Sequence, residues 1–265
     1  MGKLSGFSRG RISRTAVESD FAREASEIDW NAYAPQFDQL ANLTPAYREN
    51  MLSLLELVRS SRLDDASHVL DLGAGTGNYI LALSDILPNA RYFHVDYNPV
   101  MNVIAKNKYA ANGVRKVTII QDYIQRVHFL DESMDLIVCV NSLYSSSPQV
   151  PTLNRIFRWL KPGGIFFIID FGRKQNIIDW GLHFLKIALR GRNIGDYFRF
   201  LLHGQQITRQ AMAGRRAQID GSYWLHSTEE FGSLLEKTGF SVEELKVCYR
   251  DYADLAVCKK GEFTP

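Results

Sequence analysis

The sequence lacks the features that characterise disulfide-rich, membrane-spanning, secreted or metal-binding proteins. Only three of its 265 residues are cysteine and none lies in a CxxC pair, which excludes a disulfide scaffold and predicts reduced thiols in a cytoplasmic protein. No run of about 20 apolar residues is present to span a membrane. The polar N-terminus lacks the apolar core of a secretory signal. The six histidines show no metal-ligand spacing, so we expect no metal site.

An excess of charge of one sign is also missing from the chain as a whole. The formal net charge is only +2, so we expect no nucleic-acid partner. Hydrophobic residues make up 46% of the chain and charged residues 23%, which excludes a disordered or collagen-like chain. A chain of this length and composition can bury a substantial core.

What the sequence does contain is a regular alternation of apolar, strand-like runs and helical segments. A helix over 44–60 begins with Thr44 as its N-cap and Pro45 in its first turn. This alternation predicts a parallel sheet with helices on both faces. The predicted strands are 68–72, 91–96, 116–121, 135–140 and 165–170, and the helices among them are 78–86, 99–111 and 152–160.

The end of the chain follows a different pattern. Ser227 and Glu230 form a capping box that predicts a helix ending at Gly239. Two strand-like runs over 242–249 and 252–259 follow, separated only by Arg250 and Asp251. So short a connection predicts that these two strands are antiparallel neighbours.

A glycine-rich loop follows the first predicted strand and opens a helix. Asp71 stands two positions before the first residue of a GxGxG sequence formed by Gly73, Gly75 and Gly77. Glycines at such a turn let the backbone bend tightly and approach a ligand, and the N–H groups of the helix start can bind an anionic group. The dinucleotide fingerprint GxGxxG would need glycine at Asn78, so the loop departs from that pattern.

With this spacing and its acid, the loop resembles that of the class I S-adenosylmethionine-dependent methyltransferases, particularly those of small molecules and quinones, and the resemblance covers residues 30–260. It implies S-adenosyl-L-methionine as cofactor. It also implies an α/β, Rossmann-like fold with a seven-stranded, mostly parallel sheet, one antiparallel strand, helices on both faces, an N-terminal helical cover and a helical lid. The implied divisions are a flexible arm over 1–28, a methyltransferase domain over 29–172 and 227–260, and a lid insertion over 173–226. The turn Lys161-Pro162-Gly163-Gly164 is a frequent family feature.

The resemblance also implies which residues bind the cofactor. Asp96 ends the second strand, where the family places an acid that hydrogen-bonds the ribose, and Asp122 ends the third, near the adenine. Asp71 has an alternative role in holding the glycine loop, and Tyr123 can equally be an exposed aromatic residue. The implied cofactor-binding residues are Tyr33, Asp71, Gly73, Gly75, Gly77, Asp96, Tyr97, Met101, Gln121, Asp122, Tyr123 and Asn141.

The segment from Trp30 to Asp38 is similar to the "W…YA..YD" segment that covers the cofactor in these methyltransferases. An aromatic face attracts the sulfonium cation and a cover excludes water. Phe37 departs from the tyrosine that many relatives carry, so a hydroxyl contact is lost there. Packing is an equal alternative for Trp30.

The insertion concentrates positive charge. Residues 173–216 contain nine basic and two acidic residues, while the rest of the chain has 22 basic and 27 acidic residues. Its dense apolar content favours a lid over a substrate with an anionic group. A homodimer-forming element and a helix in transient contact with a membrane surface are the alternatives.

We therefore expect a cytoplasmic methyltransferase that transfers a methyl group to an O, N or C atom of an apolar small molecule that can carry an anionic group, such as a secondary metabolite or a quinone or prenyl-type compound. Methyl transfer needs alignment more than a catalytic dyad, so the catalytic residues stay open. Weak candidates are Tyr144, His203 and His226. The alternatives are a nicotinamide-dependent oxidoreductase and a catalytically silent binding protein of the same fold.

Overall fold

The computed structural model describes residues 29–61, 63–64, 67–190 and 205–261. The predicted arm over 1–28 and the candidate His203 lie outside these residues. Within them, no helix is both long and apolar enough to cross a lipid bilayer.

The strands form one seven-stranded sheet. They are β1 (His68–Leu72), β2 (Arg91–Val95), β3 (Val117–Ile120), β4 (Met134–Val140), β5 (Leu160–Phe171), β6 (Ser241–Cys248) and β7 (Ala253–Lys259). Their order is β3-β2-β1-β4-β5-β7-β6. Strands β1 to β5 are parallel, and β7 runs antiparallel to β5 and β6. The predicted mostly parallel sheet with one antiparallel strand is confirmed.

Helices surround this sheet. They are α1 (Trp30–Leu43), α2 (Pro45–Ser60), α3 (Asn78–Ser84), α4 (Pro99–Ala111), α5 (Gln149–Trp159), α6 (Ile177–Arg190), α7 (Gln205–Asp220) and α8 (Thr228–Lys237). Helix α1 precedes the sheet, and helices α6 and α7 lie in the predicted insertion. The capping box of Ser227 and Glu230 is present at the start of α8.

Thr44 occupies the N-cap of α2, as predicted, without a side-chain capping hydrogen bond. Two local predictions were wrong. Helix α3 ends at Ser84, two residues earlier than predicted. Strand β5 begins at Leu160 and includes Gly163 and Gly164, because the Gly163 N–H donates to Lys260 O at 2.8 Å and Gly164 O accepts from Lys260 N at 3.1 Å.

The two faces of the sheet bury separate parts of the core. Alternation along β1 sends Val69 to the face covered by α2 and α3, and Leu70 and Leu72 to the face covered by α5 and α8. Each fully buried side chain of this size contributes about 1.5–3 kcal/mol relative to exposure. The two layers fix the carboxyl ends of β1, β2, β4 and β5 along one edge of the sheet.

The connection between β6 and β7 comprises residues 249–252 and is longer than the two-residue connection that the sequence predicts. Tyr249, Arg250 and Asp251 all have positive φ, at 46°, 59° and 66°. Such values are uncommon for residues other than glycine. The turn therefore starts one residue earlier than the sequence predicts, at Tyr249.

Candidate cofactor and substrate site

The glycine loop turns sharply at the carboxyl end of β1. Gly73 and Gly75 have φ values of +70° and +55°, which residues with a Cβ adopt only at a cost. A Cβ at Gly73 would collide with the Ser142 side chain, whereas one at Gly75 would point into open space. The N–H groups of Gly73 and Ala74 donate to Val95 O at 2.8 and 3.0 Å, which holds the loop against β2.

Asp96 joins this loop to the start of α4. Its Oδ2 accepts from the Gly75 N–H and its Oδ1 from the Asn98 N–H, both at 2.8 Å. Burial raises the pKa of Asp96 to about 6, against the lowering effect of these two donors. Each carboxylate oxygen keeps a second lone pair for a ligand hydroxyl.

Asp71 lies beneath the loop and is nearly inaccessible to solvent. Its Oδ2 is buried without a hydrogen-bond partner in the described part of the chain. Burial, reinforced by the nearby Asp96 charge, raises the pKa of Asp71 to about 8. A buried acid without a partner of its own fits a site that receives a positively charged ligand.

These residues open onto a cavity of about 390 Å³. It lies at the carboxyl ends of β1 and β4, where the strand order reverses, which is the usual ligand position in open α/β sheets. Its wall is largely aromatic, and the rings come from the cover helix, from α3, from the β-strand ends and from the lid: Trp30, Tyr33, Phe37, Tyr47, Tyr79, Tyr97, Tyr123, Tyr144, Phe171, Trp180, Phe184, Tyr223 and Tyr249.

The charge of the wall is one-sided. Asp71, Asp96 and Asp122 line the cavity, and no lysine, arginine or histidine whose side chain the structure describes does so. Carboxylates favour a cationic ligand and disfavour a pyrophosphate. This wall therefore suits a sulfonium cofactor better than a dinucleotide.

Most of the predicted cofactor-binding residues meet at this cavity. Gly77 and Gln121 do not line it. Gln121 is exposed, and Gly77 is the αL N-cap of α3, where a Cβ would collide with the Tyr109 ring. The predicted residues that line the cavity are Tyr33, Asp71, Gly73, Gly75, Asp96, Tyr97, Met101, Asp122, Tyr123 and Asn141.

Two tyrosines form a platform at the end of the cavity nearest β2 and β3. The rings of Tyr97 and Tyr123 stack with centroids 4.9 Å apart and planes within 8°. The Arg126 guanidinium lies 5.0 Å from the centroid of the Tyr123 ring. Tyr123 is thus half-buried and packs against Tyr97 and Arg126 rather than extending into solvent. A flat heteroaromatic ring can stack on such a platform.

The cover helix α1 is attached to the glycine loop by Asp38. Its Oδ1 accepts from Thr76 Oγ1 at 2.6 Å and from Asn78 Nδ2 at 2.9 Å, and its Oδ2 pairs with Lys108 at 2.9 Å. Hydrogen bonds from Thr76 and the Lys108 cation hold the pKa of Asp38 below its usual range despite burial. Sequence reasoning missed this role, although Asp38 ends the cover segment that it had singled out.

The lid helices place apolar and amide groups toward the cavity and their basic groups away from it. Ile177, Trp180 and Phe184 of α6 line the cavity with Gln210 of α7. Lys174, Lys186, Arg215 and Arg216 are exposed, and Arg173 pairs with the buried Asp254. The expectation that the positive charge of the insertion faces the substrate is therefore not met by its described residues.

The candidate His226 lies outside the cavity wall, with a fully buried side chain between two acids. Its Nδ1 is 3.4 Å from Asp254 Oδ2 and its Nε2 is 3.9 Å from Asp170 Oδ2. Although burial opposes it, the nearby carboxylates of Asp170 and Asp254 raise the pKa of His226 to about 9. A histidine held protonated between acids is suited to an ion pair rather than to accepting a proton. Tyr144, in contrast, lines the cavity.

Other residues at the cavity had no sequence signal. Tyr79 and Tyr249 line it, yet neither belongs to a recognisable motif. Tyr79 sits at a buried helix position, and Tyr249 closes a strand, so both resemble ordinary core residues in the sequence. The contact of Tyr249 with the cavity depends on long-range pairing of β6 and β7, which single-sequence patterns do not specify.

Comparison with known proteins agrees with this geometry. A methyltransferase domain family model matches residues 69–164. The ubiquinone/menaquinone biosynthesis C-methyltransferase UbiE of Pseudoalteromonas translucida is 25% identical over 167 residues, covering 62% of this chain and 66% of that protein. The malonyl-[acyl-carrier protein] O-methyltransferase of Bacillus anthracis is 26% identical over 145 residues, covering 55% and 52%. The matches thus span half to two thirds of these relatives' own lengths.

Solved structures agree on the fold. The crystal structure of a SAM-dependent methyltransferase from Aquifex aeolicus superimposes with a TM-score of 0.55 at 17% identity, covering 84% of this chain and 97% of that chain. The family model shows a methyltransferase domain over residues 69–164, and the GxGxG loop, the strand order and the acidic cavity resemble those of class I S-adenosylmethionine-dependent methyltransferases.

S-adenosylmethionine, the cofactor of the methyltransferases that this chain resembles, fits the residues present. The unpartnered Oδ2 of Asp71 provides an acceptor for a cationic group, and the open space at Gly75 leaves room for a ligand against the backbone. These two observations are independent of the resemblance and agree with it.

Proposed function

We propose that the chain transfers a methyl group from S-adenosylmethionine to an uncharged, apolar small molecule with a ring system. The observation that carries this proposal is the cavity wall, which combines three carboxylates at one end with aromatic rings elsewhere. Quinone-type compounds fit such a wall. The anionic substrate group that the sequence suggests is disfavoured, because no described basic side chain lines the cavity.

In this proposal one part of the cavity binds the cofactor and the other part binds the substrate. Asp96 accepts hydrogen bonds from the ribose, Tyr97 and Tyr123 support the adenine, and Asp71 faces the amino group of the methionine portion. When bound, the cofactor supplies a methyl group on a positively charged sulfur, and the nucleophile's electron pair forms the new bond as the carbon–sulfur pair returns to sulfur. The remaining cofactor-binding residues in this proposal are Tyr33, Gly73, Gly75, Met101 and Asp122, which line the cavity together with the predicted position Asn141.

The chain contributes mainly alignment and exclusion of water. Cover helix α1 and lid helices α6 and α7 close the cavity over its aromatic wall, so that a nucleophile can be held in line with the methyl group. An acceptor that carries a proton loses it after transfer, and a water molecule suffices to take it from a phenol or enol. This chemistry needs no histidine, and no described histidine lines the cavity.

Turnover tests the proposal. We expect production of S-adenosylhomocysteine when the protein is incubated with S-adenosylmethionine and a series of substituted phenols, naphthols and quinols, with mass spectrometry identifying the methylated product. The proposal predicts faster turnover for neutral ring compounds than for their carboxylated analogues. A preference for the carboxylated analogues would contradict it.

We also propose that the lid contacts an anionic lipid surface, and that the chain acts in the cytoplasm. The outward sides of α6 and α7 expose Ile178, Leu182, Leu189, Met212 and Ile219. Exposed basic residues of the same helices lie among them. Apolar side chains flanked by cations are the combination that binds anionic membranes, and they suit a membrane surface better than a second, equally basic copy of this chain.

A further inference from the structure

Three polar atoms at the cavity have no hydrogen-bond partner in the described part of the chain. They are the hydroxyls of Tyr79 and Tyr249 and the amide oxygen of Asn141, and all three atoms are buried. Leaving a buried polar atom unpaired is unfavourable, because the atom has lost its hydrogen bonds to water. Because the three residues line one cavity, a ligand that enters it can satisfy them together.

Two of these residues are held in an uncommon backbone conformation. Asn141 has a φ of 53° at the end of β4, and Tyr249 has a φ of 46° at the end of β6. Residues other than glycine occupy this region at an energetic cost, and such residues cluster at ligand sites. The conformation turns each residue out of its strand at the edge of the sheet that carries the cavity.

The position of Tyr249 separates it from the proposed cofactor contacts. Asp96 follows β2, and Tyr249 precedes β7, which lies four strands away in the sheet order. At a strand spacing of about 4.8 Å, the two strands are about 19 Å apart. The Tyr249 ring packs 5.4 Å from the ring of Phe171, and the lid residue Trp180 packs against the same core cluster. Tyr249 therefore belongs to the lid side of the cavity.

Both tyrosines are neutral donors at physiological pH. Burial raises the pKa of Tyr79 and of Tyr249 well above the ordinary value. The amides of Asn141 and Asn50 lie near the Tyr249 hydroxyl and lower its pKa only in part, without reaching the geometry of a hydrogen bond. The three unpaired groups thus offer two hydroxyl donors and one amide acceptor. A ligand hydroxyl has the matching capacity, with two lone pairs to accept and one proton to donate.

We propose that Tyr79, Tyr249 and Asn141 form a subsite for a hydroxyl group on the ring of the methyl-accepting substrate. This proposal rests on the proposed function and names the substrate class more narrowly, as a phenol, enol or ring alcohol. A carboxylate, including that of the methionine portion of the cofactor, has no proton to donate and would face the Asn141 oxygen without a hydrogen bond.

The test compares 2-naphthol with 2-methylnaphthalene, a pair that differs by a hydroxyl in place of a methyl group. Both are titrated by calorimetry into protein saturated with S-adenosylhomocysteine. We expect the wild-type protein to prefer 2-naphthol by about tenfold or more, and Tyr249→Phe and Tyr79→Phe each to reduce that preference to about threefold or less. Tyr92→Phe, at a buried tyrosine outside the cavity wall whose hydroxyl donates to Leu87 O, is the matched control and should keep the preference.

Two results would overturn the subsite. One is a wild-type protein without preference, or a preference that survives in both tyrosine variants. The other is a loss of S-adenosylhomocysteine affinity in these variants while their affinity for methylthioadenosine, which lacks the amino acid portion, stays unchanged. That result would assign the tyrosines to the cofactor carboxylate. Failure of the proposed function appears separately, as absence of S-adenosylhomocysteine binding by the wild-type protein, and the naphthol comparison is then made on the ligand-free chain.

Discussion

Asp96 is the side chain through which the glycine loop, the start of α4 and the proposed ribose contact are linked. Its two oxygens already accept from the Gly75 and Asn98 N–H groups, so a ligand adds to a preformed arrangement. Preorganised acceptors lose little freedom on binding, which favours affinity.

Replacing Asp96 tests this role. In Asp96→Asn one acceptor oxygen and the negative charge are lost, and we expect cofactor affinity to fall by about 1–3 kcal/mol, or about five- to 150-fold. Calorimetry with S-adenosylmethionine measures the change. Asp131→Asn, at an exposed acid far along the chain, should bind as the wild type does. Equal affinities for the two variants would remove Asp96 from the site.

At the scale of single elements, the attachment of α1 controls access to the cofactor side. Asp38 connects this helix to Thr76, Asn78 and Lys108. We expect Asp38→Asn to loosen α1 while leaving the sheet folded, since the lost charge weakens three interactions at once. Hydrogen exchange should accelerate in Trp30–Leu43, and kcat/KM should fall by about tenfold. Unchanged exchange in α1 would show that other contacts hold the cover.

The outward faces of the lid helices give a second prediction at this scale. Vesicles of phosphatidylglycerol should sediment the wild-type protein, whereas vesicles of phosphatidylcholine should not, because the exposed cations recognise the anionic surface. Leu182→Glu should reduce sedimentation, while Leu130→Glu, at an 81% exposed leucine outside the lid, should not. Equal binding to both kinds of vesicle, or equal effects of the two variants, would contradict the proposed contact.

For the whole molecule, buried ionisable groups make stability depend on pH. The pKa of Asp71 is raised to about 8 and that of His226 to about 9, both above their unfolded values. A group with a raised folded pKa contributes stability below its unfolded pKa and loses that contribution as the pH rises through its folded pKa. The stability contributed by Asp71 is therefore lost between its unfolded pKa of 3.8 and its folded pKa of about 8, and that of His226 between 6.5 and about 9, so both make stability fall as the pH rises from 6.5 towards 8.

Urea unfolding at pH 6.5 and 8.5 measures this dependence. We expect the free energy of unfolding to be lower at pH 8.5 by about 1 kcal/mol or more, with His226→Gln flattening the difference. His128→Gln, at an exposed histidine, is the control. A stability that rises from pH 6.5 to 8.5 would contradict the ionisation states assigned to Asp71 and His226.

Much of the fold was predictable because it depends on local signals. The bounds of β1 and α4 match the prediction residue for residue, since apolar runs and the Pro99 and Gly113 boundary residues act over short distances. The extension of β5 back to Leu160 was not predictable, because it depends on pairing of Gly163 and Gly164 with a residue almost 100 positions later.

The site was predictable in its cofactor half and not in its lid half. Asp71, Gly73 and Gly75 occupy a contiguous motif, so spacing alone indicates them. Tyr249 reaches the cavity only through the antiparallel pairing of β6 and β7. The expectation that the positive charge of the insertion faces the substrate failed for a related reason. A count of nine basic residues in a segment does not reveal which face of each helix carries them.

Calorimetric titration of the wild-type protein tests the central claim, that the acidic, aromatic cavity binds a sulfonium cofactor. We expect S-adenosylmethionine to bind at one site and S-adenosylhomocysteine to compete with it for that site. We expect no binding of NADH, because its pyrophosphate would meet three carboxylates. Absence of S-adenosylmethionine binding at millimolar concentration, or tighter binding of NADH, would contradict it.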